Sequence, residues 1–147
     1  MNLKAIFIPN TNLNTSSTRA SIGLLALRLI IGIALVMHGS GKITSPFSWM
    51  GPDAPVPGIF QALAALSEFG GGLSMIFGLL TPLASIGIIA TMAVAVNVHV
   101  SKGDGFIQGF ELAAVYLVIA LTVLLVGPGK YAIDSIIAKK LNGPNNK

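Results

Sequence analysis

Six side chains with usable chemistry stand within, or at the ends of, long apolar runs: Arg28, His38, Glu68, Asn97, His99 and Glu111. Carboxylates and imidazoles can move protons or hold the oxygens of a polar headgroup. A guanidinium can balance a carboxylate where the medium solvates neither. Glu68 has the most telling surroundings. It opens the stretch Glu68 to Pro82, which is otherwise apolar or small and carries four glycines. Gly70, Ser74 and Gly78 recur every four residues, a small-residue stripe that lets a second helix approach closely in lipid. Gly87, Thr91 and Ala95, with the same spacing, are the expected facing residues. Gln61, Glu68 and Met75, seven apart, form a second line on the same helix.

The elements that hold these groups follow from composition. Of 147 residues, 53% are hydrophobic and only 10% charged, with a mean hydropathy of +0.81. Soluble domains carry about a quarter charged residues, so the chain belongs to the membrane class. Cysteine is absent, which removes disulfides, thiolate metal sites and CxxC redox chemistry. The pI of 9.7 reflects cations flanking apolar spans. No basic cluster alternates with aromatics, so nucleic acid is not an expected partner.

Four apolar segments, Ile22–His38, Gly58–Leu80, Leu83–Val100 and Ile107–Val126, each have a length suited to crossing a bilayer as helix. Between the first two lies a loop with Pro46, Pro52, Pro55 and Pro57. Thr81-Pro82 reads as an N-cap followed by proline in the first turn, and Gly127-Pro128-Gly129 stops the last span. The expected fold is all-α: a four-helix membrane bundle over 21–129, preceded by a polar, mobile or interfacial arm over 1–20. A C-terminal segment, 130–147, follows. Within it Ile133, Ile136, Ile137 and Leu141 have helical spacing, which suits an amphipathic helix on the leaflet or one packed under the bundle. Lys4, Arg19, Lys130, Lys139, Lys140 and Lys147 share one side against Lys42 and Lys102 on the other, which predicts cytoplasmic termini. Trp49, Phe47 and Phe60 then fall at the outer interface.

Depth along the spans sorts the six groups. At 1.5 Å per residue, Arg28 lies roughly 9 Å from the cytoplasmic end and Glu68 roughly 18 Å from it, which makes Arg28 the expected charge partner and His38 the alternative. His38, Asn97, His99 and Glu111 all fall towards the outer end. Each alone has a plain structural reading: Arg28 and Glu68 as a register-fixing ion pair, Arg28 as a phosphate-reaching side chain, the histidines as solvated groups, Glu111 as a cap on its own helix. Together they outline a polar site between helices. A di-iron centre would need Glu-x-x-His pairs, which neither glutamate has, so no metal is expected. Asp53 and Asp104 read as solvated loop charges. A cleft of this kind suits a quinone headgroup or a proton-coupled solute equally.

The order of several features resembles the DoxX family of small four-span bacterial membrane proteins. They are Arg28 in the first span, His38-Gly39 followed by Lys42, Glu68-x-Gly-Gly leading to Gly78-Leu-Leu-Thr81-Pro82, Lys102-Gly103 before Gly109-Phe110-Glu111, and Gly127-Pro128-Gly129 with Asp134 five residues later. The resemblance runs from about residue 20 to 141. It implies a bacterial inner (cytoplasmic) membrane location and association with membrane redox complexes. The expected ligand is then a quinone, with no covalent cofactor. Membrane lipid and a redox partner protein that supplies electrons would be the partners, since the chain offers no ligands for an iron–sulfur cluster. Whether the chain has activity of its own, and whether copies associate as a homo-oligomer, stay open. A proton-coupled solute transporter and a non-catalytic membrane scaffold are the alternatives.

Overall fold

The computed structural model describes residues 17–141. The expected N-terminal arm falls largely outside these residues, and so does the tail after Leu141. Four long helices follow one another: α1 (Thr18–Lys42), α2 (Gly58–Phe77), α3 (Thr81–Ser101) and α4 (Glu111–Val126), with a short α5 (Ile133–Leu141) at the end. With the turn before α4, all four are long and apolar enough to cross a membrane. The fold is all-helical.

Local sequence explains the boundaries. The Ser17 hydroxyl accepts a hydrogen bond from the Ala20 amide at 3.2 Å and caps α1. Its other end runs four residues past His38, so Lys42 belongs to the helix. α2 stops at Gly78, whose φ of +66° is the left-handed cap that glycine adopts without penalty. Leu80, also left-handed at φ +53°, precedes α3, and Pro82 sits in the first turn, where its missing amide costs nothing. Before α4 the chain kinks at Ile107 and Gln108, both with non-helical backbone angles. The regular part of the fourth span therefore starts at Glu111, later than the apolar run predicts.

α1 packs along α2, α2 along α3 and α3 along α4, while α1 and α4 meet only thinly. Close backbone contact sets the first crossing. A Cβ on Gly72 would stand 2.8 Å from the Gly32 carbonyl oxygen, and one on Gly39 would lie 2.6 Å from the Phe69 amide. Against α3, the close approaches are Gly71 to Ile88 and Gly87 to the Ser67 hydroxyl. The expected stripe of Gly70, Ser74 and Gly78 is thus corrected. Gly70 faces only Leu66 of its own helix, and Gly78 meets Arg28 and Ala132 instead of α3. Within α2 itself the glycines that receive neighbouring helices are Gly71 and Gly72, one and two residues past Gly70.

The centre of the bundle is filled. Ile31 and Leu35 from α1, Met75 from α2, Ile88 and Met92 from α3, and Ala120 and Val123 from α4 form one buried cluster. Polar side chains gather at its two ends. One end holds α5 and the α2–α3 turn; the other holds the proline-rich loop. α5 is a short helix with one buried side. It buries Asp134 and Ala138 towards the bundle and leaves Ile133, Ile136, Ile137 and Leu141 exposed.

Candidate functional site

The carboxylate of Glu68 is held by Lys42, whose ammonium lies 2.7 Å from both Oε1 and Oε2. Lys42 closes the last turn of α1 and Glu68 sits mid-way along α2, so the pair bridges the two helices at the proline-loop end. It is asymmetric: the Glu68 side chain is 6% exposed and that of Lys42 26%. The ammonium also lies 4.5 Å from the centre of the Trp49 ring, a cation–π contact that roofs the pair. Gln61 fixes that roof. Its backbone oxygen accepts from the Trp49 indole at 2.9 Å, its Oε1 accepts from the Met50 amide at 3.1 Å, and its Nε2 donates to the Val56 carbonyl at 2.8 Å. One buried carboxamide thus staples both arms of the loop onto α2.

Arg28 is not the partner of Glu68. Along α1 it stands about 21 Å from Lys42, on the far side of the apolar cluster that Ile31 and Leu35 begin. Depth alone, which makes Arg28 the expected partner, takes no account of this packed layer between the two charges. Arg28, with no exposed surface, instead donates from its guanidinium to the carbonyl oxygens of Pro128 at 2.9 Å and Tyr131 at 3.1 Å. The Asp134 carboxylate acts on it through its charge. That carboxylate also accepts from the Leu80 amide at 2.9 Å and the Thr81 amide at 2.8 Å, while the Asp134 amide donates to the Gly78 carbonyl. The α3 cap is therefore Asp134 from α5, and the Thr81 hydroxyl, expected to cap, has no partner. This hub ties α1, the α2–α3 turn and the α4–α5 elbow together.

The remaining groups separate. His38, exposed on α1, meets Tyr116 of α4 edge-on, with ring centres 6.3 Å apart across the thin α1–α4 seam. One helical turn separates His38 from Lys42. His99 pairs with Asp104 at 2.7 Å, both of them well exposed, so Asp104 is a partnered group and not merely a solvated one. Asn97 is exposed, on the side of α3 opposite its buried line Thr81, Ser85, Ile88 and Met92. It does not join the others. Glu111 begins α4 half-buried. Among the described residues no group of three His, Cys, Asp or Glu side chains is arranged to hold a metal.

The DoxX family model matches residues 23–101, from α1 through α3. The chain belongs to the DoxX family. Inner membrane protein YqjF of Escherichia coli (strain K12) is 32% identical over 130 residues, covering 81% of this chain and 95% of its own. An uncharacterised protein of Haemophilus influenzae is 31% identical over 120 residues, 78% of this chain and 90% of its own. No solved structure matches. Together with the four apolar helices, the first relative supports a multi-pass protein of a bacterial inner membrane.

In this DoxX protein the features that carried the resemblance fall at two places. Arg28, Gly78, Thr81, Pro128 and Asp134 build the hub; Gly39, Lys42 and Glu68 build the other end. Sequence reasoning missed Lys42, Gln61, Tyr116 and Asp134 as parts of these clusters. A signal existed for Lys42, four residues past His38 and so on the same face once the helix is extended. For Asp134 the family resemblance marks the residue, but no local spacing points to its targets, the Leu80 and Thr81 amides, more than fifty residues away.

Proposed function

We propose that this DoxX protein is the membrane subunit of a redox complex and holds a quinone headgroup at the proline-loop end of its bundle. The observation that carries the reading is the His38–Tyr116 contact across the α1–α4 seam, one turn from the Lys42–Glu68 pair. An exposed imidazole and a phenol can each donate to or accept from a quinone oxygen. α1 and α4 meet only thinly, and an isoprenoid tail would lie in lipid beside that seam. A partner protein supplies or removes the electrons. The excess of Lys and Arg at the α5 end supports cytoplasmic termini, and this site would then face the outer leaflet.

The packed centre speaks against the transport alternative. A solute or proton passing from one end to the other would meet Ile31, Leu35, Met75, Ile88 and Val123, and Glu68 is already held on both oxygens. The test is chemical: purify the protein from bacterial membranes in native lipid, extract, and identify quinones by mass spectrometry. The expected result is quinone in near-stoichiometric amount, falling sharply in His38→Ala and Tyr116→Phe proteins. Quinone at the level carried by an unrelated four-helix membrane protein purified the same way would sink the proposal.

A further inference from the structure

We infer that Lys42 selects the ligand of this site, favouring a headgroup that presents an anionic or strongly electron-rich oxygen. The inference rests on the quinone reading above and narrows it. The ion pair buries its negative member and shows its positive one: Glu68 is 6% exposed against 26% for Lys42. A ligand arriving at this pair therefore meets its ammonium before its carboxylate. Both oxygens of Glu68 hold that ammonium from below, and Trp49 covers one side. The ammonium is thus held in place with its remaining side open, and a held donor loses little entropy on binding. Hydrogen bonds from a charged donor to an anionic oxygen are about twice as strong as neutral ones. The site is thus set for the anion over the neutral carbonyl, with Glu68 as a positioning residue whose own charge tempers that preference.

Trp49 is the only tryptophan of the chain, so its fluorescence reports this location alone. The experiment titrates the full-length protein in lipid nanodiscs with two probes, a decyl-benzoquinone and the anion of 2-hydroxy-1,4-naphthoquinone. Both quench indole on contact. Expected are saturable curves for both, with tighter binding of the anion. Lys42→Met should weaken the anion about tenfold or more and the neutral quinone much less. Glu68→Gln removes the opposing charge and should tighten the anion. Opposite signs in the two variants are the signature. If Lys42→Met does not fold, the sign in Glu68→Gln decides. Saturable quinone binding that shifts in the same direction in both variants, or in neither, overturns this inference and leaves the quinone reading standing. Absence of saturation by either probe in the wild-type protein overturns the quinone reading, and the inference with it.

Discussion

Lys42 and Glu68 join α1 to α2 through one ammonium that lies 2.7 Å from both oxygens of one carboxylate. The pair sits outside the apolar centre, and its two members have unequal access to water. Breaking it from either side therefore has different consequences. Lys42→Met strands a buried carboxylate and should cost about 3 kcal/mol, whereas Glu68→Gln leaves an ammonium that can reach water and should cost clearly less. The double variant should recover part of the Lys42→Met loss. Unfolding in mixed micelles of the two single variants and the double measures this; equal losses from both singles would contradict the asymmetry.

Arg28 should couple to Asp134 and not to Glu68. Arg28→Lys keeps the charge but cannot span the Pro128 and Tyr131 carbonyls with a planar fork, so it should destabilise nearly as much as Arg28→Met. A double-mutant cycle between Arg28 and Glu68 should return a coupling near zero, and one between Arg28 and Asp134 a clear non-zero value. The reverse ordering would mean that the apolar layer does not insulate the two ends.

Asp134→Ala removes the carboxylate that caps α3 from a distance. The expected cost is about 1–2 kcal/mol, that of losing a helix N-cap, with more in addition because α5 loses its tie to the α2–α3 turn. Hydrogen exchange should show the loss of protection concentrated at Leu80, Thr81 and α5. Loss spread evenly over all helices would argue against a local cap.

Gly72→Ala and Gly70→Ala test the crossing of α1 and α2. The first pushes a methyl to 2.8 Å from the Gly32 carbonyl and should cost about 1–3 kcal/mol. The second meets only the flexible end of Leu66 on its own helix and should stay within about 0.5 kcal/mol of wild type. Thermal unfolding in detergent separates the two, and similar melting temperatures would remove the Gly32–Gly72 contact from its organising role.

Gln61→Leu should release the proline-rich loop, because three hydrogen bonds converge on this residue and two of them use its carboxamide. Emission from Trp49 is expected to shift to longer wavelength as the indole leaves its place over Lys42 and meets water. An unchanged spectrum would show that the prolines alone hold the loop.

Hydropathy by itself determined four spans, their order and their approximate ends, because a run of some twenty apolar residues leaves the backbone no alternative to helix in lipid. The same runs showed that Glu68 must face protein, and it does. Choosing its partner was beyond the sequence. Arg28 and His38 are the partners that depth offers, with Lys42 a loop cation; the packed layer of Ile31, Leu35 and Met75 cuts Arg28 off, and the extension of α1 to Lys42 brings the other cation in. The glycines show the same division: a four-residue spacing announced close helix contact, but the rotation of α2 selected Gly71 and Gly72 over Gly70. Rotation about a helix axis is set by all its neighbours at once. The cap on α3 is the furthest from local reading. Thr81-Pro82 looked self-sufficient, yet the left-handed backbone at Leu80 turns its amide and that of Thr81 towards Asp134 of α5. Only the folded chain brings that carboxylate there.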